Sequence, residues 1–90
     1  MSAIILPAIM DKASLLPLAR DMAAHCDKGE ALLIDGSKVS RVGLAGLQLL
    51  VSGAIAAQDR AVEFKLTDAS DELAGAASLS GLTAMLGIAA

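Results

Sequence analysis

Tyrosine and tryptophan are missing from this chain of 90 residues, and Phe64 is its only aromatic side chain. Proteins that hold nucleic acid stack bases on aromatic rings or follow the phosphates with basic patches. Seven Lys and Arg stand here against ten Asp and Glu, so neither device is present and nucleic acid is set aside as a partner. The single cysteine, Cys26, has no internal disulfide partner and cannot build a cysteine-clustered metal site. Both absences fit a reducing compartment. No basic segment precedes the apolar N-terminal run, which Asp11 and Lys12 close, so no secretory signal is visible and a cytoplasmic protein is expected. Residues 42–58 and 73–90 are free of charge, yet Gly and Ser interrupt both, and a membrane span needs about 20 strongly apolar residues. They read as buried or partner-facing helices, with no membrane insertion.

The length and the 56% of apolar residues fit one globular domain, residues 1–90. A first strand is expected over residues 3–6, stopped by Pro7, with a weaker extended segment at 8–10. Leu15, Leu18, Ala19, Met22, Ala23 and Cys26 fall at helical spacing, which predicts a first helix with Ser14 as N-cap and Pro17 in its first turn. Residues 28–30 end it. Residues 31–34 read as a central strand. A second helix is predicted over 44–58, with Leu47, Leu50, Val51, Ala54 and Ile55 inward and Gln48, Ser52 and Asp59 outward. Its Gly46 and Gly53 share one side and allow a close approach to the sheet. Residues 61–67 alternate, Val62, Phe64 and Leu66 against Glu63 and Lys65, as in a strand with one wet face. Ser70 then caps a third helix, Asp71 and Glu72 complement its dipole, Gly81 ends it, and residues 82–88 add a short turn. The order strand, helix, strand, helix, strand, helix predicts a small α/β layer.

Within it, residues 34–47 carry the most informative pattern. Asp35, Ser37 and Val39 match a strand ending in Asp-x-Ser-x-Val, and Gly46 and Leu47 match the end of a following Asp-Ser-Ser-Gly-Leu at a helix start. This resembles the STAS domain family, named for sulfate transporters and anti-sigma factor antagonists. Asp11, residues 68–72 and the tetrapeptide Leu79, Ser80, Gly81, Leu82 extend the resemblance over nearly the whole chain. It implies an α/β fold of the STAS type, with a central mixed sheet and helices mainly on one face. The chain departs at three positions. Gly43 stands at the acidic position, and Leu44 and Ala45 stand at the two hydroxyl positions.

The resemblance implies a bacterial, non-catalytic regulatory module that binds a protein through the loop before the second helix and the start of that helix. The residues in those places are Arg41, Gly43, Leu44, Ala45 and Gln48. In phosphoregulated members a kinase phosphorylates the first hydroxyl of the motif, and the added charge expels the partner. That position is Leu44, which accepts no phosphate. Ser37 and Ser40 are nearby hydroxyls, read as turn or cap residues rather than phosphorylation sites. Leu44 itself has two readings: the first core residue of its helix, or a permanent apolar contact at an exposed lip. The implied partner is a histidine or serine kinase of the chemotaxis or sigma-factor type, an anti-sigma-like regulator, or the ATPase of a lipid transporter. The competing class is a nucleotide or other anion sensor, using the free N–H groups of Leu44, Ala45 and Gly46 with Arg41. No catalytic set, metal site or cofactor is expected. His25 and Cys26 point about 100° apart on one helix, and no two carboxylates converge.

Overall fold

The computed structural model describes residues 3–88. Two strands at the N-terminus, β1 (Ile4–Ile5) and β2 (Ile9–Met10), lie on either side of Pro7. They are followed by α1 (Lys12–Asp27), β3 (Leu32–Asp35), β4 (Arg41–Val42), α2 (Leu44–Asp59), β5 (Phe64–Thr67), α3 (Asp71–Leu79) and α4 (Thr83–Leu86). The main sheet has the order β1-β3-β5, and β2 pairs with β4 in a second, smaller sheet. All described pairings are parallel, which corrects the expected mixed sheet. The reason is topological: a helix lies between the paired strands and returns the chain to the same end before each new one begins.

Ile4, Ile34 and Leu66 stand in register across the main sheet, and all three are buried. Period-two alternation turns Ile5 and Lys65 to the other face, where both are exposed. Leu6, Leu32, Leu50, Leu73 and Leu86 complete the centre of the core beneath the helices. No helix among the described residues is long and apolar enough to cross a membrane.

The first helix starts earlier than its apolar stripe suggested. Asp11, not Ser14, is the N-cap: its carboxylate accepts from the Ser14 N–H at 3.2 Å, and Ser14 Oγ accepts from the Asp11 N–H at 3.1 Å. This reciprocal capping box satisfies two donors at once. Pro17 consequently lies inside the helix, beyond its first turn, where it deprives the Ala13 carbonyl of a donor. Both residues are exposed, so water can replace the lost bond. Asp11→Ala is expected to destabilise the fold by about 1 kcal/mol, read as a lowered denaturant midpoint. An unchanged midpoint would show that the box contributes nothing.

The second helix buries Gly46, Leu47, Leu50, Gly53 and Ala57. That stripe leaves Ile55, expected inside, 47% exposed. Both glycines lie against a sheet, but against different ones. A Cβ on Gly46 would meet Val42 and Met10 of the small sheet, whereas one on Gly53 would run into the Met22 methyl of α1. The tightest approach at Gly53 is therefore between helices, with Phe64 of the main sheet 3.6 Å from the same point. Ser70 caps α3 as expected, accepting from the Leu73 N–H, with Asp71 and Glu72 in the first turn. Gly81 follows its C-cap at φ +72°, a backbone conformation glycine adopts without strain.

Candidate functional site

The Asp-x-Ser-x-Val segment forms a braced loop between β3 and β4. Gly36 is buried, and a Cβ there would lie 2.7 Å from Leu73 Cδ2, so a side chain at the turn after Asp35 would have to displace the buried Leu73. Its N–H donates to the Thr67 carbonyl and its carbonyl accepts from the Ser70 N–H, both at 3.0 Å. Ser70 Oγ donates to the Val39 carbonyl at 2.6 Å, and Val39 is only 2% exposed. The same serine thus caps α3 and ties down the loop. On the other side, the Ser40 N–H and hydroxyl both donate to the Ala8 carbonyl, at 2.8 and 3.0 Å. Ser40 is a fastening of the loop to the N-terminal segment.

Asp35 accepts from the Ser37 N–H at 2.9 Å. That bond, with a second from the Ser37 side chain and a smaller attraction from Lys38, holds the Asp35 carboxyl below the ordinary carboxylate range, against the opposing effect of desolvation. A lowered folded value means that the contribution to stability is present above the unfolded value of about 3.9 and is lost as pH falls through the folded value. The stability difference between the native chain and Asp35→Asn should therefore be full near neutral pH and shrink below about pH 4. A difference that stays constant down the whole acid limb would contradict this assignment.

The braced loop delivers the chain into β4, a two-residue strand where the sequence pattern predicts only loop. It pairs with β2 in parallel, Ile9 beside Arg41 and Met10 beside Val42. The inner pair packs toward Gly46, as its close contacts show, while Ile9 and Arg41 are exposed on the outer face. Since the strands are parallel, α1 and α2 both begin just past this small sheet and present their N-termini at one end of it. The two ends differ chemically. The N-terminus of α1 is closed by Asp11, whereas α2 starts from Gly43, extended at φ −102° and ψ −177°, with no side-chain cap.

Leu44 is the first residue of α2 and is 64% exposed, which decides between its two readings in favour of the surface. Arg41, Gly43, Ala45 and Gln48 are exposed as well, and Gln48 lies one helical turn beyond Leu44 on the same side. Arg41 makes no ion pair among the described residues. The structure thus brings the five sequence-derived residues to one lip and adds Ile9, 49% exposed beside Arg41. Ile9 was missed because only the pairing of β2 with β4, remote in sequence, places it there. Its exposed apolar character within a two-residue strand gave no local signal.

His25 and Cys26 lie elsewhere. Cys26 is 5% exposed within the core, and His25 Nδ1 is buried without a hydrogen-bond partner, 3.8 Å from Glu30 Oε1. Among the described residues no three His, Cys, Asp or Glu side chains come together as metal ligands do. The profile of a family described as "Mlab, STAS domain" matches residues 3–87. No curated protein matches the chain at a significant level.

Proposed function

The chain belongs to the STAS domain family, and from that premise we propose that it is a permanently competent, non-catalytic binding subunit whose partner docks on the lip of Ile9, Arg41, Gly43, Leu44, Ala45 and Gln48. STAS domains are generally non-catalytic regulatory modules that mediate protein interactions. One observation carries the finer reading: at the family's switch position this chain exposes a leucine, 64% accessible. A large apolar side chain held out on a braced loop gains free energy when a partner removes it from water, and no kinase can silence it with a phosphate.

The absence of a switch also bears on who the partner is. A kinase that phosphorylates its antagonist needs a hydroxyl to act on, and positions 44 and 45 are Leu and Ala. Ser40, the nearest alternative, is engaged with the Ala8 carbonyl. A constitutive subunit is the better fit, and among the partners that the family implies this favours a transporter ATPase in the cytoplasm over a switch kinase or an anti-sigma-like regulator. Tagged chain isolated from its native cell should bring a transporter ATPase in near-equal amount. Recovery of a kinase would replace this partner, and recovery of neither would overturn the reading.

The uncapped start of α2 supports anion binding as a second reading, because the free N–H groups there lack a side-chain acceptor. It ranks lower because no Gly-rich phosphate loop with its lysine is present. Titration with nucleotide or inorganic phosphate should leave the amide signals of Leu44, Ala45 and Gly46 unmoved at millimolar ligand.

A further inference from the structure

The turn between β5 and α3 is stitched to the segment that leads from β3 toward the lip. Thr67 Oγ1 donates to the Ile34 carbonyl at 3.3 Å, the Gly36 N–H to the Thr67 carbonyl at 3.0 Å, and the Ser70 N–H to the Gly36 carbonyl at 3.0 Å. The fourth stitch stands nearest the lip, where Ser70 Oγ donates to the Val39 carbonyl at 2.6 Å. It alone depends on the Ser70 side chain. The direction of its hydrogen is fixed, because a carbonyl only accepts and the same Ser70 oxygen already accepts from the Leu73 N–H at 3.2 Å. Beyond Val39 the fastenings change side: Ser40 is tied to Ala8, and β4 pairs with β2. Among the described hydrogen bonds, Val39 is thus the last point before the lip that is held to the α3 side of the fold.

We propose that Ser70, which lies outside the lip, is a positioning residue for it, setting through the Val39 carbonyl how the loop presents Arg41 and Leu44. This rests on the reading of the lip as the docking surface. Val39 is buried, so without the Ser70 hydroxyl its carbonyl is left unpaired or the loop shifts to bring it to water. Such a shift begins two residues before Arg41. One hydroxyl serves both α3 and the loop, and the two roles need different chemistry: the cap requires an acceptor, the tether a donor. An ionised aspartate accepts but cannot donate. Ser70→Asp therefore keeps the cap of α3, loses the tether, and places a negative charge beside the Val39 carbonyl oxygen. Threonine retains both functions. A serine that merely capped α3 would tolerate aspartate as well as it tolerates threonine.

Amide hydrogen exchange of the purified full chain near neutral pH tests this without a partner. The N–H groups of Ser40 and Arg41 both donate to the Ala8 carbonyl and report on the loop, while that of Ala74, which donates to the Ser70 carbonyl, reports on α3. In Ser70→Asp, exchange at Ser40 and Arg41 should quicken by roughly two- to thirtyfold, with Ala74 as in the native chain. Ser70→Thr should match the native chain at all three. Toward the partner isolated with the native chain, Ser70→Asp should bind roughly two- to thirtyfold more weakly and Ser70→Thr equally well. Native exchange at Ser40 and Arg41 in Ser70→Asp overturns the proposal, as does equal quickening at Ala74, which would reduce Ser70 to a cap. Unchanged binding beside a loosened loop overturns it too. A native chain that recovers no partner removes the reading of the lip instead, and the exchange result then decides whether Ser70 holds the loop.

Discussion

Leu44→Asp is expected to weaken partner binding by roughly thirty- to a thousandfold, the range for truncating a central apolar anchor at an interface. The same substitution should leave the fold slightly more stable. Leu44 occupies the first position of α2, is 64% exposed, and follows a glycine cap without a side-chain bond. A carboxylate placed there complements the helix dipole, worth about 0.3–1 kcal/mol. Binding and stability thus move in opposite directions, which no general damage to the protein would produce. Leu44→Ser removes the apolar contact without adding charge and should fall between the native chain and Leu44→Asp. Isothermal titration with the isolated partner, beside thermal unfolding of each variant, reads both effects. A Leu44→Asp protein that binds as the native chain does would move the interface away from α2.

Leu50→Ala should have the largest effect on the fold itself. Leu50 is fully buried in the cluster that joins the main sheet to the helices, and truncating such a leucine leaves a cavity that its neighbours fill only partly. The expected loss is about 2–5 kcal/mol, a large part of the roughly 5–15 kcal/mol that stabilises a domain. Denaturant unfolding should show a lower midpoint with an unchanged slope. Ile55→Ala, further along the same helix but 47% exposed, is the natural comparison and should cost far less. Near-equal losses at the two positions would contradict the burial pattern of α2.

That contrast also shows where the sequence was legible. The alternation at Phe64, Lys65 and Leu66 and the caps at Ser70 and Gly81 were readable, because each is a local signal acting on its own neighbours. The Asp35 to Val39 pattern was readable too, since a buried glycine turn and a short-range bond to Asp35 fix it. What was missed depended on distant residues. The paired strands β2 and β4 have two residues each and exist through contact across the fold. Ile55 has the apolar character of a core residue, but the buried stripe of α2 runs through Leu47, Leu50, Gly53 and Ala57 and leaves it outside. Ser14 alone reads as a cap in the sequence, whereas the reciprocal box uses both residues and puts Asp11 at the cap. At the lip, Arg41, Gly43, Leu44, Ala45 and Gln48 could be placed by motif alone. Whether Leu44 was core or surface could not, because an apolar residue at a helix start satisfies either pattern.

If Leu44 is a permanent apolar contact for a partner of different sequence, a photoactivatable apolar amino acid at position 44 will reach that partner in the native cell, and the same group at the exposed position 79 is the control. Irradiation should join position 44, and not position 79, to a transporter ATPase. An ATPase captured from position 79 and not from position 44 would show that the partner docks elsewhere.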